Sequence, residues 1–213
     1  MGVLERRERE KSEVREKILD AARELFIREG YEGVSMRMVA NKIEYSPTAI
    51  YGHFADKEDL FLQLCHEDFL RLAGSFNQLA QIADPIERVR QLGTAYVEFG
   101  TKFPNHYRMM FMTPHPRVID TPEIEERMGK GNPEEDSYEM LRQTVAEGIQ
   151  AGAYRKDLTD PDLVAQTLWA GVHGVISLEI AKKEDNWVNW CPIDERARIM
   201  LDGLLHGLLR KAQ

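Results

Sequence analysis

Side chains able to do acid–base, nucleophilic or metal chemistry are scattered along this chain. The six histidines, at 53, 66, 106, 115, 173 and 206, have no metal-ligand spacing with cysteines or carboxylates. Cys65 and Cys191 lie far apart without a Cys-x-x-Cys pattern, which reads as a reduced protein. A Gly-rich phosphate loop and a nucleophile elbow are both missing, and Glu134-Glu135-Asp136 reads as a charged helix start. The sequence therefore points away from an enzyme, a metal or a cofactor. What does concentrate, from Ser35 to Asp59 (SMRMVANKIEYSPTAIYGHFADKED), is a pair of closely spaced helix starts. Ser35 is an N-cap residue, able to accept an unpaired backbone N–H of the first turn. Ser46 is a second one, with Pro47 at the first helical position, where a missing N–H costs nothing. Two short helices this close fit a helix-turn-helix, whose second helix enters the DNA major groove. Helix N-termini also present free N–H groups and partial positive charge to phosphates.

The neighbouring elements must hold these short helices. Val14, Ile18, Ala21, Ala22, Leu25 and Phe26 recur at helical spacing and predict an amphipathic helix over 13–29, ended by Gly30 with Tyr31 packing back. Residues 1–11 alternate acid and base, as either a solvated helix end or an arm for phosphates. The helix opened by Ser35 buries Met38, Val39 and Ile43, and the one opened by Ser46 spans 47–53. Asp56 caps a long helix running to about Ile82, with Leu60, Phe61, Leu64, Phe69, Leu72 and Phe76 as its apolar stripe. Asp84-Pro85 opens a helix to Lys102, and Phe103-Pro104 breaks it before a short helix ending at Met112. Residues 113–133 hold four of the nine prolines and read as irregular, with one helical turn at 123–128. Helices follow over 134–151, 161–182 and 193–211, with a loop carrying Trp187 and Trp190 at 183–192. Strand patterns and internal repeats are missing, so the fold class is all-α. Val164, Leu168, Val172 and Val175 repeat on the penultimate helix, and Leu201, Leu204, Leu205, Leu208 and Leu209 make a wide apolar arc on the last. Gly203 and Gly207 each cost a helix about 1 kcal/mol against Ala, which close packing across a two-fold axis would offset.

Two stretches, AARELFIREGYEGVSMRMVANKI and SPTAIYGHFADKEDLF, resemble the TetR family of one-component transcriptional repressors over roughly the first 65 residues. The Tyr51-Gly52-His53-Phe54 element with Lys57 and Glu58 behind it is the most specific part. The resemblance implies a recognition helix supplying Ser46, Pro47, Thr48 and Tyr51, with Ser35, Arg37, His53 and Lys57 contacting phosphates. Phe54 reads as core, and Tyr51 has the same bland alternative. The chain departs from the family at Glu44, where the pattern has Gly; a Glu there is strained or adopts another turn. An aromatic and methionine-rich set, Phe99, Phe103, Tyr107, Met110, Phe111, Trp169 and His173, is the candidate effector pocket. The segments FPNHYRMMF and Trp169 to Gly174 resemble a regulatory subtype with a Trp-His-Gly-like element, though His173 on an apolar helix also reads as a core histidine.

Charge runs against this reading. The chain carries −8, and residues 1–60 hold 11 Lys+Arg and 13 Asp+Glu, hence −2. DNA affinity follows where cations point, so Arg37, Lys42 and Lys57 need to share one face, with Arg6, Arg7, Arg9 and Lys11 reaching a groove. No apolar run reaches the roughly 18 residues of a membrane span, and the charged start does not read as a secretory signal. The expectation is a cytoplasmic homodimer without a cofactor. It comprises an N-terminal three-helix helix-turn-helix domain over 1–56 and a larger helical ligand-binding and dimerisation domain over 57–213. It would bind a near-palindromic double-stranded DNA operator as a repressor, released by a small-molecule effector. The alternatives are a helical ligand-binding or interaction module that has lost DNA binding, and a small helical enzyme.

Overall fold

The computed structural model describes residues 2–114, 116 and 121–210. His115 and Lys211 lie outside the described residues. Among the described residues ten helices run in order: α1 Val3–Gly33, α2 Met36–Lys42, α3 Pro47–Tyr51, α4 Lys57–Asn77, α5 Pro85–Lys102, α6 Pro104–Phe111, α7 Pro122–Arg127, α8 Ser137–Gln150, α9 Pro161–Lys182 and α10 Ile193–Leu208. The sole β pairing among the described residues is the isolated bridge between Tyr154 and Leu209. The chain divides into two compact units, Met1–Asp68 with Asn105–Glu125, and Phe69–Pro104 with Glu126–Gln213. The division falls inside α4, whereas the sequence placed a boundary at the start of that helix.

The first unit is built on α1. This helix begins ten residues earlier than the sequence pattern predicts, at Val3 rather than residue 13. Its opening turns are stitched by Arg6–Glu10 at 2.7 Å and Arg9–Glu13 at 3.7 Å. The alternating charges are thus a solvated helix and not a free arm. Gly30 has φ 71°, a conformation open to glycine at little cost, and kinks the chain there. The kink turns Tyr31 back onto Phe26 and Phe61, at ring distances of 5.9 and 5.1 Å. Ile18, Ala22, Leu25 and Phe26 of α1 meet Val39, Ala40, Ile50, Phe54, Leu60 and Leu64 in one core, all buried. On α2 the inward methionine is Met36 and not Met38, which is half-buried. Asp56 caps α4 as the sequence reading has it: its Oδ1 accepts from the Asp59 N–H at 2.8 Å, and Asp59 in turn accepts from the Ala55 N–H at 2.9 Å.

In the second unit, α9 packs against α5, α8 and α10. The Asp84-Pro85, Asp136 and Asp160-Pro161 starts all form, each aspartate accepting backbone N–H groups of the first turn. Val89, Val145, Tyr154, Val164, Ala165, Leu168 and Leu205 make the core. Helices approach closely at Gly93, where an added Cβ would stand 2.8 Å from Leu201, and at Gly148, 2.7 Å from the Tyr154 ring. α10 stops at Leu208, because Arg155 N–H donates to the Leu208 carbonyl and Arg210 N–H to that of Ala153, drawing the chain into the bridge. Two expectations are corrected here. Val164, Leu168 and Val172 face this chain's own core, as do Leu201 and Leu205, so they are not a surface for another copy. And α9 is by length and composition apolar enough to cross a membrane, contrary to the reading that no segment is. That composition reflects apolar residues on both sides: the core set above and an outward set that includes Leu163 and Leu178.

Candidate nucleic-acid interface

The helix-turn-helix forms, and the turn is made by the residue that breaks the pattern. Ile43 ends α2, Glu44 follows with φ 61°, and Tyr45 resumes the chain. Glu44 N–H donates to the Asn41 carbonyl at 3.2 Å and Tyr45 N–H to that of Ala40 at 3.0 Å. This is the paired helix ending in which the residue after the cap is left-handed, a place usually held by glycine. Among the described non-glycine residues, Glu44 alone has positive φ. The turn geometry is therefore kept, at a cost of about 1–2 kcal/mol for a side chain in that region.

Beyond the turn, α3 is five residues long. Ser46 Oγ accepts from the Ala49 N–H at 3.3 Å, and Ser35 Oγ likewise from Met38 at 3.3 Å. Each hydroxyl keeps its own hydrogen to donate outward. Ile50 and Phe54 anchor the segment, both essentially unexposed. That fixes the opposite side: Ser46, Pro47 and Thr48 are exposed, and Tyr51 is 54% exposed. Tyr51 is thus outward and Phe54 is core, as the sequence reading had it. Tyr45 is also outward, at 37%.

The cations are less available than their number implies. Arg37 is exposed, and among the described residues its side chain makes no ion pair or hydrogen bond. Lys42 pairs with Glu24 at 2.6 Å. Lys57 Nζ donates to the Tyr31 carbonyl at 3.0 Å and lies 4.2 Å from the centre of the Tyr31 ring. It therefore ties the start of α4 to the kink of α1, whatever else it touches. His53 is half-buried with Nδ1 unpartnered, and its pKa is lowered by burial and then by Lys11 and Arg15. The lowered pKa favours the neutral ring. Arg15 lies over the Phe54 ring at 5.4 Å, donates to Gln63 at 2.7 Å and pairs with Glu67.

Inside the first unit lies a charged network that sequence reasoning missed. Asp68 Oδ1 accepts from Arg23 Nη2 at 2.7 Å and lies 2.8 Å from His106 Nδ1, while Oδ2 accepts from Arg23 Nε at 3.0 Å. Arg23 and Asp68 are buried. Burial works against the Arg23 charge, but Asp68 and then Asp20 outweigh it and raise the pKa. The signal was present: Arg23 and Asp68 each interrupt the apolar stripe of a helix, which a charge does only with a partner.

The candidate effector residues are divided between the units. Tyr107, Met110 and Phe111 belong to the first, where the tilted Tyr107 and Phe111 rings stand 5.0 Å apart. Phe99, Phe103, Trp169 and His173 belong to the second, where Phe99 and Phe103 stand 5.5 Å apart. In the second unit Trp169 Nε1 donates to the Tyr96 hydroxyl at 3.0 Å, and that hydroxyl lies 3.2 Å from His173 Nδ1. An indole N–H can only donate, so the Tyr96 oxygen accepts from it, and which of Tyr96 and His173 donates to the other depends on the histidine tautomer. Burial lowers the His173 pKa, favouring the neutral ring. Tyr138 stands 5.9 Å from the Trp169 ring and donates to Asp162 at 2.8 Å. Among the described residues no group of histidine, cysteine and carboxylate side chains could hold a metal ion.

Comparison with known proteins gives the arrangement a context. Residues 18–64 match the family described as bacterial regulatory proteins, tetR family. Residues 89–204 match the tetracyclin repressor-like C-terminal domain. The Trp-His-Gly-like subtype is not what that second match describes. The HTH-type transcriptional repressor AcnR of Corynebacterium diphtheriae is 46% identical over 59 residues, covering 28% of this chain and 31% of the relative. The HTH-type transcriptional regulator UidR of Escherichia coli is 31% identical over 87 residues, 41% of each chain. The chain thus aligns with less than half the length of these curated relatives. Among solved structures, a TetR family transcription regulator from Marinobacter aquaeolei superposes with a TM-score of 0.74 at 17% identity, covering 97% of this chain and 100% of that one.

Proposed function

Because the chain belongs to the TetR family of bacterial regulatory proteins, whose members bind operator DNA and act as dimers, we propose that it is a cytoplasmic, homodimeric transcriptional repressor. Each protomer reads half of a near-palindromic operator with α3. The observation that carries this is the orientation of α3: Ile50 and Phe54 fix it from beneath while Pro47, Thr48 and Tyr51 face outward. Thr48 reads a base edge through its methyl or hydroxyl. Tyr51, Arg37 and the hydroxyls of Ser35 and Ser46 contact phosphate or sugar, and His53 and Lys57 contact phosphate beside them. These set register and not sequence. Members of this family are regulators and not enzymes.

The homodimer uses the outward sides of α9 and α10. Leu163, Leu178 and Ile199 are exposed there, and an added Cβ at Gly174, Gly203 or Gly207 would meet nothing in this chain. Those glycines contrast with Gly93 and Gly148, whose packing is internal. Another backbone across a two-fold axis supplies the missing reason. The effector site draws on the Tyr96, Trp169 and His173 cluster with Phe99 and Phe103, and release follows from tighter ligand binding to the state that does not fit DNA. A coupling of this kind is typically about 1–3 kcal/mol.

Selection from a random duplex library, followed by gel shifts at two salt concentrations, tests the reading. A selected near-palindrome should bind the wild type, lose affinity steeply with salt, and bind the Tyr51→Ala dimer far less well. Recovery of no preferred duplex by an intact dimer favours the alternative of a module without DNA binding.

A further inference from the structure

The segment between α9 and α10 presents its two tryptophans in opposite ways. Trp190 is tied down: its Nε1 donates to the Lys182 carbonyl at 3.0 Å, and the Arg196 guanidinium lies 5.1 Å from the ring centre. Arg196 also donates to the Cys191 carbonyl at 3.0 Å and pairs with Glu179 of α9, so the base of the segment is closed from both helices. Trp187 is turned out instead, 91% exposed, with its backbone held by a 2.9 Å bond to Asp185. A tryptophan side chain carries up to about 250 Å² of surface, nearly all of it left in water here. A closed frame that displays a large aromatic has already met the ordering cost of binding, and this is how interface anchors are built.

We propose that Trp187 is the anchor of this chain's self-association, seated on the outer apolar face of the same two helices in a second copy. The inference rests on the reading that α9 and α10 form the dimer surface. Three observations favour a second copy as the occupant. The segment is continuous with that surface: Val188 is 45% exposed within it, and exposed Leu178 and Ile199 lie one residue and three residues from the Glu179–Arg196 pair that closes it. The glycines at 174, 203 and 207 leave room for a backbone to approach. And Lys182, Lys183, Glu184 and Asp185 cancel in charge, so two identical segments meet without repulsion, as a self-complementary contact requires.

The test is sedimentation equilibrium on full-length wild type, Trp187→Ala and Trp187→Phe, with acrylamide quenching of tryptophan fluorescence across the dissociation range. Truncation of a central aromatic anchor should weaken dimerisation on the order of 30-fold or more, with unchanged helical content, and Phe should recover part of the loss. A fraction of wild-type fluorescence should become quenchable on dilution, and that fraction should be missing in Trp187→Phe. Undiminished dimerisation of Trp187→Ala, with Trp187 fully quenchable in the wild-type dimer, overturns the anchor while leaving the dimer reading intact. A wild type that stays monomeric at tens of micromolar defeats the dimer reading itself, and the anchor with it.

Discussion

Two polar clusters of this molecule are built on opposite principles. In the first unit, Arg23 and Asp68 form a buried ionic set in which both Asp68 oxygens accept charge-assisted bonds from the guanidinium, with His106 beside it. In the second, Tyr96, Trp169 and His173 form a neutral set passed through a single hydroxyl. A buried ion pair is expensive to break and adds little beyond an apolar pair of the same shape, so its main effect is to fix one arrangement. A neutral hydroxyl relay can exchange its partners for those of a ligand at small cost, since each such bond contributes only about 0.5–1.5 kcal/mol net. The contrast teaches where this chain is rigid and where it can respond. The unit that carries the proposed DNA-reading helix is locked, and the unit proposed to bind an effector is held by bonds of exchangeable strength.

The largest effect should come from breaking the ionic set. Asp68→Ala takes away the buried partner of the Arg23 charge, leaving it only the exposed Asp20, and should cost about 3–5 kcal/mol in urea unfolding. The double variant Arg23→Met, Asp68→Leu should restore most of that loss. If Asp68→Ala costs under 1 kcal/mol, the first cluster is not a lock and the contrast fails. In the second unit, Tyr96→Phe removes the relay hydroxyl and should cost only about 1 kcal/mol. A loss as large as that of Asp68→Ala would erase the distinction from the other side.

Glu44→Gly sharpens the comparison by isolating backbone strain from both networks. It relieves a left-handed side chain and should raise stability by about 1 kcal/mol, with the helix-turn-helix geometry unchanged. An unchanged or lower midpoint would mean that Glu44 makes a compensating contact. The smallest effect concerns pH. Burial lowers the pKa of His173, and burial followed by Lys11 and Arg15 lowers that of His53. The folded state therefore resists protonation that the unfolded chain accepts near its ordinary value of 6.5. Their contribution is fully present above about pH 6.5 and is lost as pH falls below it, toward the folded pKa. His173→Gln should flatten that part of the stability profile; an unaltered slope would remove His173 from it.

Local signals made much of this legible. Ser35, Ser46-Pro47, Asp84-Pro85 and Asp160-Pro161 each open a helix where the sequence places one, because capping chemistry is decided by neighbours in the chain. The outward Tyr51 and inward Phe54 followed from family pattern and helical spacing together. What failed depended on partners distant in sequence. Whether Val164, Leu168 and Val172 face this chain or another cannot be read from a repeat alone, since both surfaces demand apolar residues. The availability of Lys42 and Lys57 depended on Glu24 and the Tyr31 carbonyl. Glu44 shows the converse: a residue unsuited to its conformation still adopts it, because the bonds to Asn41 and Ala40 and the burial of Ile50 outweigh the local cost.

The most direct measurement is a hydroxyl-radical footprint of a selected near-palindromic duplex with the wild-type dimer and with Thr48→Ala and Tyr51→Ala. The account expects two protected patches centred about 10–10.5 base pairs apart, or a multiple of that, both fading in the two variants. Protection that survives both substitutions unchanged, with the dimer intact, would contradict the assignment of α3 as the reading helix.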